Sequence, residues 1–145
     1  MATLPALGAS SDFIIASGYS AGSYTSAQLI TAWPEVFRCG GLLNGGMTNT
    51  QMARKAEYSA ASDAAAYEAN YQQTVAYIDG YVTAGNLPNQ AALANNAIYI
   101  YGGDQDPIVF PVTTAEQNRY FESKGAKVSF NVGEGVGHIF GATAP

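Results

Sequence analysis

The sequence predicts an α/β fold, a three-layer sandwich around a mainly parallel sheet. Two observations carry that prediction. Short apolar, strand-like runs near residues 12–17, 37–43, 97–101 and 127–132 alternate with stretches long and periodic enough to be helices, and joining parallel strands in this way requires right-handed crossovers. The length of 145 residues, with no internal repeat or low-complexity linker, suits one domain with one core and is too short for two ordinary ones.

Met1 to Ser11, with Pro5 and Gly8, reads as an extended lead-in to the first strand near Asp12 to Ser17. A helix then runs from Ala21 to about Ala32. Its residues Tyr24, Ala27 and Ile30, with Leu29, form one face for packing on a sheet, and Trp33-Pro34 ends it because a residue before proline is pushed out of the helical region. Trp33 either lines the core beside this helix end or contacts substrate. Phe37 to Leu43 is the second strand, closed by Asn44-Gly45-Gly46, residues that tolerate positive φ. Loops at such strand ends face the active site in open α/β sheets, which makes Asn44 an expected substrate contact.

From Thr48 to about Ala84 the chain turns alanine-rich and helical. Tyr67, Tyr71, Val75, Ile78 and Val82 recur at spacings of three and four behind a Ser62 cap, and Gly85 stands where a C-terminal cap glycine belongs; a less regular helix precedes this one. A short helix around Ala91 to Asn95 leads into the clearest strand, Ala97 to Tyr101, which ends in the loop Gly102 to Pro107. Thr113-x-x-Glu116 is a capping box for a helix reaching about Lys124, with Gly125 as its stop. Lys127 to Val132 alternates as a strand does, and Gly133 to Gly137 delivers His138 in a loop.

Composition narrows the partners. The 12% charged content is about half the usual value, so the surface suits neutral or apolar substrates. A net charge of −5 with six Lys plus Arg leaves no basic patch for phosphates, which argues against nucleic acid and anionic membranes as partners. Cys39 is the only cysteine, so no intrachain disulfide and no cysteine-based zinc site is expected, and no metal or cofactor is implied. Met1 to Ala9 has neither a basic region nor a long apolar run, so it reads neither as a secretory signal nor as a membrane span, and the compartment stays open.

The chemistry centres on Gly18-Tyr19-Ser20-Ala21-Gly22, a G-x-S-x-G pattern between a strand and a helix. In that setting Ser20 is a nucleophile raised on a sharp turn, with the Ala21 N–H as an oxyanion donor and Tyr19 as an expected substrate contact. A serine hydroxyl needs a base, and that base needs an acid to hold its tautomer. His138, the sole histidine, follows the last strand and supplies the base. Asp104 and Asp106 both follow the clearest strand; Gly103-x-x-Asp106-x-x-Val109 favours Asp106 as the acid, the alternative being that both carboxylates only cap the next turn. The order Ser20, Asp106, His138 is the nucleophile–acid–histidine order of α/β hydrolases.

Leu4-Pro5-Ala6-Leu7, Gly18 to Tyr24 with Gln28, Pro34-Glu35-Val36-Phe37, Ile98 to Gly102 through Asp106 to Val109, and Gly137-His138 with Phe140 together resemble secreted poly(3-hydroxybutyrate) depolymerases and related esterases, especially their circularly permuted form. The resemblance covers most of the chain. It implies an α/β-hydrolase-like fold, an extracellular setting, a polyester or small ester substrate, and Ser20, Asp106 and His138 as nucleophile, acid and base. The chain departs from that family in Tyr19, where leucine is usual, in having one cysteine where the family has several paired, and in lacking a His-Gly segment that supplies a second oxyanion donor. The resemblance therefore implies one half of a larger hydrolase, an incomplete sandwich whose first strand is an unpaired sheet edge and whose partner is the other half of the fold. The expected reaction is ester hydrolysis through an acyl-enzyme on Ser20. Rival readings are a peptidase or acyl transferase with the same triad, and a non-catalytic polymer- or carbohydrate-binding fold that uses Tyr67, Tyr71 and Trp33.

Overall fold

The structure, a computed structural model, describes residues 8, 10, 13–47 and 64–139. Ser62, the irregular helix before residue 64, the segment Leu4 to Leu7 and Phe140 lie outside the described residues. The elements are β1 (Ile14–Tyr19), α1 (Ala21–Ala32), β2 (Phe37–Leu43), α2 (Ala64–Thr83), a 3-10 helix (Gln90–Asn95), β3 (Ala97–Gly103), α3 (Pro111–Ser123) and β4 (Lys127–Gly133). The four strands form one sheet in the order β1-β2-β3-β4, and every neighbouring pair is parallel. Among the described residues β1 therefore pairs only with β2 and is a sheet edge.

Because the strand order never reverses, right-handed crossovers put every connecting helix on the same face. The core shows this directly. Ala16, Leu42, Ile98 and Ile100 of the sheet pack with Ala27 and Ile30 of α1, Tyr71 and Ile78 of α2, Leu93 of the 3-10 helix, and Tyr120 and Phe121 of α3. Of the sandwich, the described residues thus supply the sheet and one helical layer. The other face of the sheet carries Ile15 and Tyr99, 60% and 37% exposed, beside Ser17 and Gly41.

Small residues set how closely α1 sits on the sheet. Its buried positions are Ser23, Ser26, Ala27, Ile30 and Thr31, with Leu29 packed against the core, so the expected face holds at Ala27, Leu29 and Ile30 and widens over Ser23 and Ser26, while Tyr24 is half-buried. The reason is the glycine-rich end of β2: a Cβ on Gly45 would overlap Ser23, a contact that leaves no room for a larger side chain on the helix. Helix α2 docks on α3 through Arg119, which pairs with Glu68 in a forked hydrogen bond and lies 3.9 Å over the Tyr71 ring. Tyr120 donates to Gln90, whose amide in turn donates to the Thr31 carbonyl, so a buried polar chain ties α3 to the 3-10 helix and to α1.

Helix α3 begins differently from the expected capping box. Phe110 flanks its N-terminus without a side-chain cap, Pro111 opens the first turn, and Thr113 is buried inside it. Proline at the first helical position needs no N–H and brings φ already set for the helix, so the N-cap moves three residues upstream, from Thr113 to Phe110. Gly125, at φ 82°, terminates the helix as expected.

Candidate active site

Ser20, Asp106 and His138 follow the C-terminal ends of β1, β3 and β4, and Asn44 follows that of β2. β1 ends at Tyr19, and Ser20 turns the chain into α1 with φ 54° and ψ −121°, a region an L-residue enters only where its surroundings hold it there. The hold is visible: the Ser20 N–H donates to the Leu43 carbonyl at 2.9 Å and the Ser20 carbonyl accepts from Ser23 at 2.9 Å, so sheet and helix fix the residue from both sides. Ala21 is the exposed first residue of α1, where the helix ladder has no use for the N–H.

The loop after β4 brings His138 over Ser20, with Nε2 at 2.9 Å from Oγ. Its Nδ1 stands 2.7 Å from Oδ2 of Asp106, in the loop after β3. The two side chains are 14% and 1% exposed, so this contact is largely withdrawn from water. Asp106 is also held on its other oxygen, which accepts the N–H groups of Ile108 and Val109, each at 2.9 Å. The turn-capping contacts of this carboxylate and its contact with His138 thus occur together, one on each oxygen. Burial alone would raise the Asp106 pKa, but hydrogen bonds from Asn44, His138 and the two N–H groups outweigh it and hold the carboxyl below its ordinary range.

Asp104 has a different task. Its carboxylate accepts the Gly135 N–H at 2.8 Å, its own N–H donates to Gly133 and the Gln105 N–H donates to Val136, so the loop carrying Asp106 is stitched to the loop carrying His138. A Cβ on Gly103 would overlap the carbonyls of Val136 and Gly137, which shows how close the two loops run.

Of the three expected substrate contacts, Trp33 sits away from the site, while Asn44 and Tyr19 are in it with other partners. Trp33 is at the far end of α1, about 18 Å from Ser20 at 1.5 Å per residue. It is 55% exposed and lines a cavity of about 410 Å³ with Pro34, Val36 and Pro88, so it neither fills the core nor reaches the serine. Asn44 is fully buried at φ 46°, and its amide points at Asp106 (2.9 Å) instead of outward. Tyr19 is 40% exposed, but its hydroxyl donates to the His138 carbonyl and its ring centroid lies 5.0 Å from the imidazole. Tyr71, one of the contacts of the polymer-binding reading, is buried in the core. The signal for Asn44 and Tyr19 was present in the sequence: an asparagine closing a strand in left-handed backbone, and a tyrosine placed by strand alternation on the face opposite Ala16.

The profile of the prolyl oligopeptidase family matches residues 7–144. Among solved structures the chain is similar to a PHB depolymerase from Penicillium funiculosum (25% identity, TM-score 0.70, 96% of this chain and 43% of that one). A PHB depolymerase complexed with an R3HB trimer gives 25% identity, TM-score 0.71 and the same coverages. A Bacillus cereus carboxylesterase shares the fold at 19% identity and TM-score 0.59, covering 91% of this chain and 45% of that one. The chain therefore spans less than half the length of these structures. No curated protein sequence matches it.

Proposed function

This chain belongs to the prolyl oligopeptidase family of α/β hydrolases, and on that premise we propose that it carries the catalytic serine machinery of a carboxylic-ester hydrolase. The observation behind this reading is the continuous relay from Ser20 Oγ through His138 to Asp106, with contacts of 2.9 and 2.7 Å. In the reaction Ser20 Oγ attacks the ester carbonyl carbon while His138 Nε2 takes the hydroxyl proton. The imidazolium formed keeps its Nδ1–H on Asp106, whose charge stabilises it. The carbonyl oxygen, now an oxyanion, meets the Ala21 N–H at the start of α1. Collapse expels the alcohol, protonated by His138, and leaves an acyl-enzyme that water releases by the same steps in reverse.

The substrate class we infer is a short hydroxyalkanoate ester or polyester. Two features support it: the similarity to the PHB depolymerases spans 96% of the chain, and the low charged content suits an uncharged substrate. Peptide hydrolysis is the second reading, favoured by the peptidase character of the family profile. A fluorophosphonate probe tests the nucleophile, and hydrolysis of p-nitrophenyl butyrate set against a prolyl peptide anilide tests the class. Wild type is expected to be labelled on Ser20 and to cleave the ester, and Ser20→Ala to do neither. An unlabelled, folded wild type would sink the catalytic reading.

A further inference from the structure

We propose that Asn44 is a positioning residue, which aims the Asp106 carboxylate at His138 and locks the two loops of the relay to the strand beside the nucleophile. This rests on the Ser20–His138–Asp106 reading above. The two N–H groups on Asp106 Oδ1 come from its own turn, and by themselves they fix the carboxylate only relative to that turn. Asn44 ties it to the rest of the site. Its Nδ2 donates at 2.9 Å to Oδ2, the same oxygen that faces His138 Nδ1, so the amide and the imidazole bracket one carboxylate oxygen.

The connections of Asn44 run in every direction the site needs. Its backbone N–H donates to Tyr101 of β3 at 2.7 Å, and Nδ2 also lies 3.5 Å from the Gly137 carbonyl, next to His138. Its neighbour Leu43 accepts the Ser20 N–H. A two-residue segment at the end of β2 thus holds the nucleophile turn, the acid and the histidine loop at once. Only one orientation of the amide serves. A flip would set Oδ1 against a carboxylate and a carbonyl, both acceptors, whereas in the observed orientation Oδ1 is buried without a partner and Nδ2 donates. The left-handed backbone at φ 46° also suits asparagine better than most side chains, so backbone and amide requirements coincide in one residue type. Full burial keeps Asn44 away from substrate.

The test uses Asn44→Gly, which keeps the positive φ and removes the amide. Ser20 labelling by the fluorophosphonate and kcat for p-nitrophenyl butyrate are expected to fall about 10- to 100-fold, the range typical of groups that orient another through a hydrogen bond, with KM unchanged. The acid limb of the labelling profile is expected to move to higher pH, because an Asp106 oxygen relieved of the amide donor holds the imidazolium more strongly. The downfield proton signal of the His138 Nδ1–H, unambiguous in a chain with one histidine, is expected to shift or broaden. An unchanged rate, acid limb and signal would overturn the proposal, and so would a raised KM at constant kcat, the mark of a substrate contact. If Asn44→Gly does not fold, Asn44→Ala carries the same measurements, since it removes the amide and sets no new charge beside Asp106. If wild type is not labelled at all, the catalytic reading fails and the proton signal alone decides: its loss in the variant supports the positioning role and its persistence overturns it.

Discussion

A Cβ on Gly18 would overlap the carbonyl group of Gly22, because the last turn of β1 and the first turn of α1 touch backbone to backbone there. The two glycines of the G-x-S-x-G pattern are therefore unequal. Gly18 permits the elbow that lifts Ser20, while Gly22 has open space around its Cβ position among the described residues. Gly18→Ala is expected to destabilise the protein by about 1–3 kcal/mol or more and to abolish Ser20 labelling, since the backbone cannot yield without moving the serine. Gly22→Ala is expected to be stabilising by up to about 1 kcal/mol, as alanine is in a helix. Urea unfolding of both variants checks this, and equal losses in the two would contradict it.

Asp106→Asn keeps the shape of the acid and removes its charge. The amide presents a donor to His138 and favours the wrong tautomer, so the Ser20 labelling rate is expected to fall by roughly 10⁴-fold. The variant has a second signature in stability. The Asp106 carboxyl sits below its ordinary value in the folded chain, so its contribution is complete above the unfolded value, about 3.9, and is lost as pH falls through the lower folded value. Wild type should therefore lose stability more steeply than Asp106→Asn on acidification below about pH 4. Chemical unfolding at several pH values measures the two slopes, and parallel slopes would refute the assignment.

Legibility in the sequence followed the range of the interaction involved. α1 and β2 have the limits read from local pattern alone, because a proline, a glycine pair and an apolar run are local signals. The start of α3 was misread because two local signals competed, and Pro111 with its preset φ prevailed over the hydroxyl of Thr113. At the site, motif and chain order were enough to nominate Ser20, Asp106 and His138, which the fold brings into one hydrogen-bonded chain. Asn44 and Tyr19 were legible as site residues but not in their contacts. Whether a side chain at a strand end points outward or at a neighbouring loop depends on strand register, here the pairing of Leu43 with both Tyr19 and Tyr101. Trp33 was misplaced because the length of α1 separates it from Ser20, although both flank the same helix.

Tyr19 links the nucleophile motif to the histidine loop directly. Burial and then the Asp106 charge push its pKa above the ordinary value, so the hydroxyl remains a donor to the His138 carbonyl at neutral pH. Tyr19→Phe keeps the ring against the imidazole and removes that bond. It is expected to cost about 0.5–1.5 kcal/mol of loop order, a threefold to tenfold drop in Ser20 labelling. Tyr19→Leu, which also removes the ring contact, should drop it further. Hydrogen exchange of the amides of residues 133–139 is expected to speed up in the same order. If exchange there is unchanged while KM rises, Tyr19 acts on substrate and the loop is held by other contacts.

Glu116 is a buried acid that the relay does not use. It lies in α3, where burial pushes its pKa up to about 7, with the Arg119 cation partly offsetting the rise and the Glu68 charge adding to it. The folded value lies above the unfolded one, about 4.3, so folding is favoured by a neutral Glu116 below that value and loses this advantage as pH rises through the folded value. The difference corresponds to an upper bound of about 4 kcal/mol at alkaline pH, less where water reaches the carboxyl. Glu116→Gln keeps the size and stays neutral throughout. The variant is expected to match wild type below about pH 4 and to exceed it in Tm by several degrees at pH 8, at roughly 3 °C per kcal/mol for a domain near this size. Thermal unfolding at the two pH values measures the gap. A gap of equal size at both would mean that the carboxyl titrates alike in the folded and unfolded chain, and that the benefit of glutamine comes from packing or hydrogen bonding alone.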